Sequence, residues 1–347
     1  MGNALFRENP NMNTSRRSLL SLLSILLCTP RLAGCIHYPI TKASAMSKAH
    51  WTTHCVGRFL LDLPPDATLG YRTDLWNRTL QREDLSIDAM HKEADRFVHE
   101  VKSQSHQNYT NRFIRRVDLP NGGIAIYYYT EEYSTLLASA KVWLIPTGSS
   151  TIFSWHAHDK IRPSTIDTSS IPFLHTLAER LRERHHVDLA WMPGFCVSNG
   201  GFIIGESEQS EAFHAGIHFS SHPGIVFSMD SYVLRTPPST TLLERIGLIP
   251  GLLAALSGAR TLRKGKRNIG PIHGEEYLLV TTQNGIIRPS FMWDVPGKVD
   301  SIHYPRLRAA LNFTDESIKT SPFTSDKQVL ELWDTLIQSI RPRLAIL

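Results

Sequence analysis

The chain has 347 residues, 41% hydrophobic and 20% charged, with 37 basic against 32 acidic side chains. That balance excludes wholesale disorder and allows a sizeable core, and the length suits two domains of ordinary size. Residues 1–34 hold Arg7, Arg16, Arg17, Arg31 and Glu8, so the remainder keeps 33 basic and 31 acidic residues, a net of +2. A nucleic-acid binder that tracks phosphates needs a strong positive excess, which this remainder lacks.

In chain order, the first element is an export signal over residues 1–34. From Met12, Arg16 and Arg17 make a positive start, and Ser18 to Leu27 is an apolar run too short for the roughly 20 residues of a membrane span. Leu32-Ala33-Gly34-Cys35 then resembles a bacterial lipobox, in which cleavage before Cys35 is followed by acylation of its thiol and new amino terminus. The alternative is an ordinary secretory signal, and the arginine pair also admits a twin-arginine reading. Met1 to Asn11 lacks signal character, so translation from Met12 is a second possible start. Residues 35–50 show no hydrophobic period and read as a tether. Of four cysteines, Cys28 lies in the leader and Cys35 takes the lipid. Cys55 and Cys196 are left as one pair in an oxidising compartment and are expected to bridge, with two separately buried thiols as the alternative.

Structure is expected from Trp51. His54 to Leu63 reads as strand, ended by Pro64-Pro65. Ile87, Met90, Ala94, Phe97, Val98 and Val101 fall at helical spacing behind Ser86 as N-cap. Strands follow at 112–119, 124–130, 140–145 and 151–156, with a turn at Asn121-Gly122. A helix opens after Ser170, with Pro172 in its first turn. The order then recurs. Cys196-Val197 through Gly201-Phe202-Ile203-Ile204 repeats Cys55-Val56-Gly57-Arg58-Phe59-Leu60-Leu61 with two extra residues. Strands at 215–219 and 225–232 lead to a helical region over about 240–262, broken at Pro250-Gly251. Strands return at 275–282, 287–294 and 306–313, and a last helix starts at the capping pattern Ser325-Asp326-Lys327-Gln328. The expectation is an α+β chain of two similar domains, 51–187 and 188–347. Each is a mainly antiparallel sheet with about two helices, related by internal duplication.

No nucleophile elbow, zinc-protease motif, phosphate loop or dinucleotide fingerprint occurs. His156, His158 and Asp159 offer metal ligands without an evident third partner, and are expected to be a solvated strand end. His185-His186 reads as a helix terminus. Glu275 and Glu276 should point to opposite faces of a strand and be solvated, and Ser198 belongs to turn chemistry. Two features suit partner binding beside a bland core role: the apolar stretch 242–256, and Tyr127, Tyr128, Tyr129 and Tyr133 with Glu131 and Glu132.

Three segments together, Thr53-His54-Cys55-Val56-Gly57-Arg58-Phe59-Leu60-Leu61-Asp62-Leu63-Pro64, Pro193 to Ile204, and His273-Gly274-Glu275-Glu276-Tyr277, resemble the group-four immunity proteins of type VI secretion lipase effectors. The resemblance spans about 51–345. It implies a periplasmic, non-enzymatic protein that captures a phospholipase effector, holding its lid shut or covering its acyl groove, and protects producer and sister cells. Cofactors, metals, nucleic acid and a small-molecule substrate are not expected; partner-binding residues are not assigned. Membrane contact would come through the Cys35 lipid, with the outer membrane favoured because Ile36 follows it in place of aspartate. The alternative function is a non-inhibitory envelope lipoprotein or lipase-specific chaperone.

Overall fold

Period-two alternation dominates the computed structural model, which describes residues 50–76, 78–184, 192–206, 211–247, 259–315 and 319–343, with backbone alone for 158–160. The first half runs β1 (Thr52–Val56), β2 (Phe59–Leu63), β3 (Ala67–Leu75), β4 (Arg78–Glu83), α1 (Ile87–Ser103), β5 (Phe113–Asp118), β6 (Ile124–Tyr129), β7 (Ala138–Leu144), β8 (Ile152–Ile161), α2 (Ile171–Arg180) and β9 (Leu181–Glu183). The second runs β10 (Gly194–Val197), β11 (Gly201–Ile204), β12 (Glu211–Phe219), β13 (Ile225–Tyr232), α3 (Leu242–Gly247), β14 (Arg260–Ile269), β15 (Ile272–Gln283), β16 (Ile286–Val295), β17 (Arg306–Phe313), α4 (Asp326–Ser339) and β18 (Arg341–Pro342). This is an α+β architecture of mostly antiparallel sheet.

Local chemistry sets the boundaries. Ser86 Oγ accepts from Ala89 N at the start of α1, and Ser325 Oγ from Gln328 N at the start of α4, each meeting an amide that the helix itself leaves unpaired. Asn284 (φ 52°) and Gly285 (φ 75°) both take the left-handed region that a two-residue hairpin turn requires.

Twelve strands form one sheet in the order β14-β15-β16-β17-β13-β12-β3-β4-β8-β7-β6-β5. Its centre is an antiparallel seam between β3 and β12, with Gly70 opposite Gly216. Outward from that seam, strand order is the same in both directions. β3-β4-β8-β7-β6-β5 on one side matches β12-β13-β17-β16-β15-β14 on the other.

The opening hairpins cross over. β1–β2 pairs with β18, the last strand of the chain, and β10–β11 pairs with β9, the last strand of the first half. Packing follows the pairing. Val56, Phe59, Leu61 and Leu63 sit in one core with Phe227, Phe291, Trp293 and the Trp333 stripe of α4, while Phe195, Val197 and Ile203 join Val142, Phe153, Leu174 and Leu177 in the other. Each buried side chain of this size stabilises by about 2 kcal/mol, so neither half completes its core without the other's hairpin. Where the hairpins meet, Gly57 and Cys196 exchange backbone hydrogen bonds of 3.1 and 2.8 Å, and Cys55 is joined to Cys196 by a disulfide. The opposite face carries α1 over Ile124, Ile126 and Trp143, and α3 over Tyr277 and Leu279.

Three departures from the sequence reading have physical causes. β3 and β4 were not anticipated, because Gly70, Arg72, Thr73 and Asp74 dilute the apolar alternation of Leu69, Tyr71 and Leu75. The helix expected over 240–262 is α3 only to Gly247; residues 248–258 lie outside the described residues, and 260–262 open β14. β14 hides as a strand because its inward residues are arginines. Arg263 and Arg267 meet Asp334 of α4 at 2.5 and 2.7 Å, and both also pair with Glu276. Glu276 is therefore not solvated: it is 3% exposed inside this cluster, where Trp333 Nε1 also donates to it.

Candidate partner interface

The residues weighed for chemistry do not converge. His156 Nε2 lies 3.1 Å from the Tyr128 hydroxyl; the side chains of His158 and Asp159, and all of His185 and His186, lie outside the described residues. No group of three or more His, Cys, Asp or Glu gathers as metal ligands among the described residues. Glu275 and Glu276 do face opposite sides: Glu275 accepts from Leu243 N at 2.9 Å while Glu276 turns to α4. Ser198, 3% exposed, is 3.2 Å from Thr73 Oγ1 and donates to Leu80 O. Cys35 lies outside the described residues.

The surface is asymmetric instead. β3 ends at Leu75, and among the described residues that end of the sheet carries seven of the nine exposed large apolar residues: Tyr109, Tyr133, Leu136, Leu137, Tyr232, Val299 and Tyr304. Only Leu85 and Ile87 lie at the Ala67 end. A soluble surface scatters such residues singly, so this one-sided set makes the Leu75 end the candidate interaction edge.

Two groups make up this edge. On the outer flank, the segment before β5 and the β6–β7 connection hold each other through Gln107 N to Glu132 O (2.9 Å) and Ser105 Oγ to Glu132 (2.8 Å). Tyr109 stacks on Tyr129, centroids 5.1 Å apart, beside His106. Of the tyrosines weighed for partner binding, Tyr127, Tyr128 and Tyr129 are buried, and Tyr133 is 72% exposed.

The second group borders a cleft of about 490 Å³ at the seam, built from both halves: Leu75 and Trp76 after β3, Phe173 and Arg180 of α2, Ile203 and Glu206 after β10, and Glu211 at the start of β12. Trp76 has φ 53°, a left-handed conformation that costs a bulky residue about 1–2 kcal/mol. Its ring lies on Phe173 at 3.8 Å, which holds it at the cleft wall. Trp76 is half-buried against the first-half core, and it opens the two-residue connection from Leu75 to Arg78, a hairpin turn in which positive φ is the rule. Opposite, Glu211 is buried and bound by both oxygens to Arg58 at 2.7 and 2.9 Å. Burial pushes its carboxyl above the ordinary value, against the pull of Arg58, Arg180 and His303. His303, in the β16–β17 loop that carries Val299 and Tyr304, reaches Glu206 at 3.2 Å and ties the apolar rim to the cleft. The arrangement offers an aromatic wall and a charged floor, suited to gripping a protein segment.

Nothing in the sequence reading pointed to Trp76, since the strands on either side went unrecognised; a lone tryptophan in a polar stretch was the available signal.

Comparison with known proteins agrees with an interaction role. Residues 52–144 match the family model "Tle cognate immunity protein 4 N-terminal domain", and residues 191–345 match the "Tle cognate immunity protein 4 C-terminal domain". The apo structure of immunity protein TplEi of T6SS from Pseudomonas aeruginosa is 33% identical, covers 86% of this chain and 99% of its own, and superposes with a TM-score of 0.80. A chain of the Tle4–Tli4 complex structure gives the same identity, coverage and TM-score. TplEi bound to an "L" peptide is 32% identical over the same shares, with a TM-score of 0.75. No curated protein matches the sequence. The chain belongs to the Tle cognate immunity protein 4 family.

Proposed function

We propose that this protein is an immunity protein that binds and silences a cognate type VI secretion lipase effector, with no catalysis of its own. Family membership over both halves carries the reading, and the one-sided apolar edge beside the seam cleft supports it. The cleft, with Trp76 as its anchor, takes a segment of the effector; the rim residues Tyr232, Val299 and Tyr304 exclude water around it, the usual arrangement of a strong interface. The disulfide at the hairpin crossing keeps the two halves in fixed relation, so the grip is preorganised.

The protein acts in the periplasm, where it shields the producer and its sister cells, and Cys35 anchors it by lipid to the outer membrane. The leader charge, the short apolar run and the Leu32-Ala33-Gly34-Cys35 motif support this placement. The chain descends from duplication of one α+β unit, with domains 51–187 and 188–347; the matched strand orders and the equivalent positions of Cys55 and Cys196 support that history.

The test is to mix the purified protein with the lipase encoded beside it and read complex formation and ester hydrolysis together. A stoichiometric complex with suppressed hydrolysis is expected. A lipase that remains fully active in the complex would point to an escort role and overturn inhibition.

A further inference from the structure

The large sheet ends in two edges, β5 and β14, and the two are finished differently. An edge presents a row of N–H and C=O groups that pair with any strand brought alongside, and proteins guard it with short strands, bulges and charge. β5 is six residues long and bulges between Phe113 and Arg115. Its cations are neutralised in place, Arg115 on Asp167 at 2.5 Å and Arg116 on Asp95 at 2.6 Å. β14 is ten residues long and holds Arg260, Arg263, Lys264, Lys266 and Arg267 with no acidic residue. Its three arginines are held, Arg260 by Asp326 and the other two by Glu276 and Asp334. Lys264 and Lys266 are exposed and make no ion pair with any described residue. Glu275 lies across the ladder from Lys266, but its carboxylate takes Leu243 N.

The β14–β15 hairpin fixes which backbone groups face outward. A two-residue connection pairs Ile269 with Ile272, and residues flanking such a turn are a hydrogen-bonded pair. Alternation along β14 then turns the N–H and C=O of Lys264, Lys266 and Asn268 away from β15, to the open side. No described residue bonds to these groups there. The side chains of the same three residues are exposed, while Arg263 and Arg267 turn inward to α4. Gly265 between them has nothing within 4 Å of where a Cβ would stand, so the inner side of the edge is open too. The pinned arginines on either side hold this stretch in place, which preorganises it for pairing.

Charge selects the occupant. A second copy pairing antiparallel through β14 about Gly265 sets Lys264 against Lys266, and one pairing through β5 brings Arg115 and Arg116 to the lysines; both are repulsive. A nucleic acid or an anionic lipid surface draws on a spread of free cations, whereas the arginines of this strand are already paired. A strand with acidic residues at alternate positions meets the free backbone groups and both free ammonium groups together. We propose that β14 is a docking edge for an extended acidic segment of a partner protein, added to the sheet as a further strand with its acidic side chains opposite Lys264 and Lys266. The proposal stands independently of the immunity reading.

The probe is a blocked octapeptide alternating glutamate with valine, titrated into the purified protein by calorimetry. Two controls separate strand addition from charge attraction: the same peptide N-methylated on its glutamate amides, and its lysine–valine counterpart. Saturable binding of the glutamate peptide is expected, at least about tenfold tighter than either control. Hydrogen exchange read by mass spectrometry should slow at residues 264–268 in the complex. Lys264→Glu with Lys266→Glu is expected to weaken the glutamate peptide at least about tenfold and leave the thermal midpoint unchanged, since both side chains are exposed. Lys266→Pro removes one outward N–H, which an edge strand tolerates, and is expected to weaken binding without altering charge at Lys264. Equal binding of the N-methylated peptide, unslowed exchange at 264–268, or unaltered binding in the double variant would overturn the proposal. Binding of phosphatidylglycerol vesicles that is lost in the double variant, with no binding of the peptide, would assign the lysines to a lipid surface and also overturn it.

Discussion

Replacing Cys55 and Cys196 together by alanine removes the one covalent tie between the exchanged hairpins. The bridge spans a sequence separation of 141 residues. In the chain-entropy treatment a loop of that length removes about 5 kcal/mol of unfolded-state freedom at 25 °C. The folded state loses little in exchange. The Gly57–Cys196 backbone pairs persist, and β2·β18 and β11·β9 still hold each hairpin in the opposite core. Guanidinium titration should therefore give a stability about 3–5 kcal/mol lower, with an unchanged far-ultraviolet spectrum. With an unfolding entropy of about 2.1 cal/mol/K per residue, a chain of this length shifts by about 1.5 °C per kcal/mol, so the midpoint should fall by about 4–8 °C. Unfolding should stay a single transition, since each core contains elements of both halves. A loss below about 1 kcal/mol, or two separate transitions, would refute the reasoning.

Gly57 sits at φ 58°, and a Cβ there would lie 2.4 Å from Phe213 Cδ1, so Gly57→Ala should cost about 2–4 kcal/mol in chemical denaturation. Glu276→Gln leaves Arg263 and Arg267 facing only Asp334 in a largely buried cluster, and should cost about 3 kcal/mol by the same measurement. Burial holds the His222 ring below its ordinary value, against the pull of Asp66, so the unfolded chain takes up the proton first as pH falls. This contribution is present above about pH 6.5 and is lost through and below the depressed value. The midpoint drop between pH 7.5 and 5.5 should be smaller in His222→Gln than in the wild type.

Much of the fold was legible where one physical demand shaped each residue. α1 and α4 show both an apolar stripe and a capping serine, and the recurrence of Cys-Val…Phe marked equivalent openings of the two halves, although His54 to Leu63, expected as one strand, is the β1–β2 hairpin turning at Gly57. Three features were not legible. The seam strand β3 lies at the middle of the sheet, yet its uncovered face is polar or glycine, so its alternation is weak, and of its partner β12 only 215–219 was expected. β14 buries Arg263 and Arg267 against Glu276 and Asp334, which leaves only Leu262 and Ile269 as apolar signal. The hairpin exchange depends on which half a hairpin packs against, and local pattern is the same for either choice. The interface suffered for a related reason. Trp76, Glu206 and Glu211 are far apart in sequence and line one cleft only because the seam aligns β3 with β12. Tyr127 to Tyr129 drew attention as a cluster, but serve mainly the core.

The Leu75 end of the sheet is the proposed effector-binding edge. The most direct measurement is the dissociation constant of the cognate lipase for Trp76→Ala and Tyr304→Ala, set beside Leu85→Ala and Ile87→Ala at the opposite end. The account predicts a loss of at least about tenfold for each of the first pair and no appreciable change for the second. Wild-type affinity in Trp76→Ala and Tyr304→Ala, with binding lost in Leu85→Ala or Ile87→Ala, would contradict it.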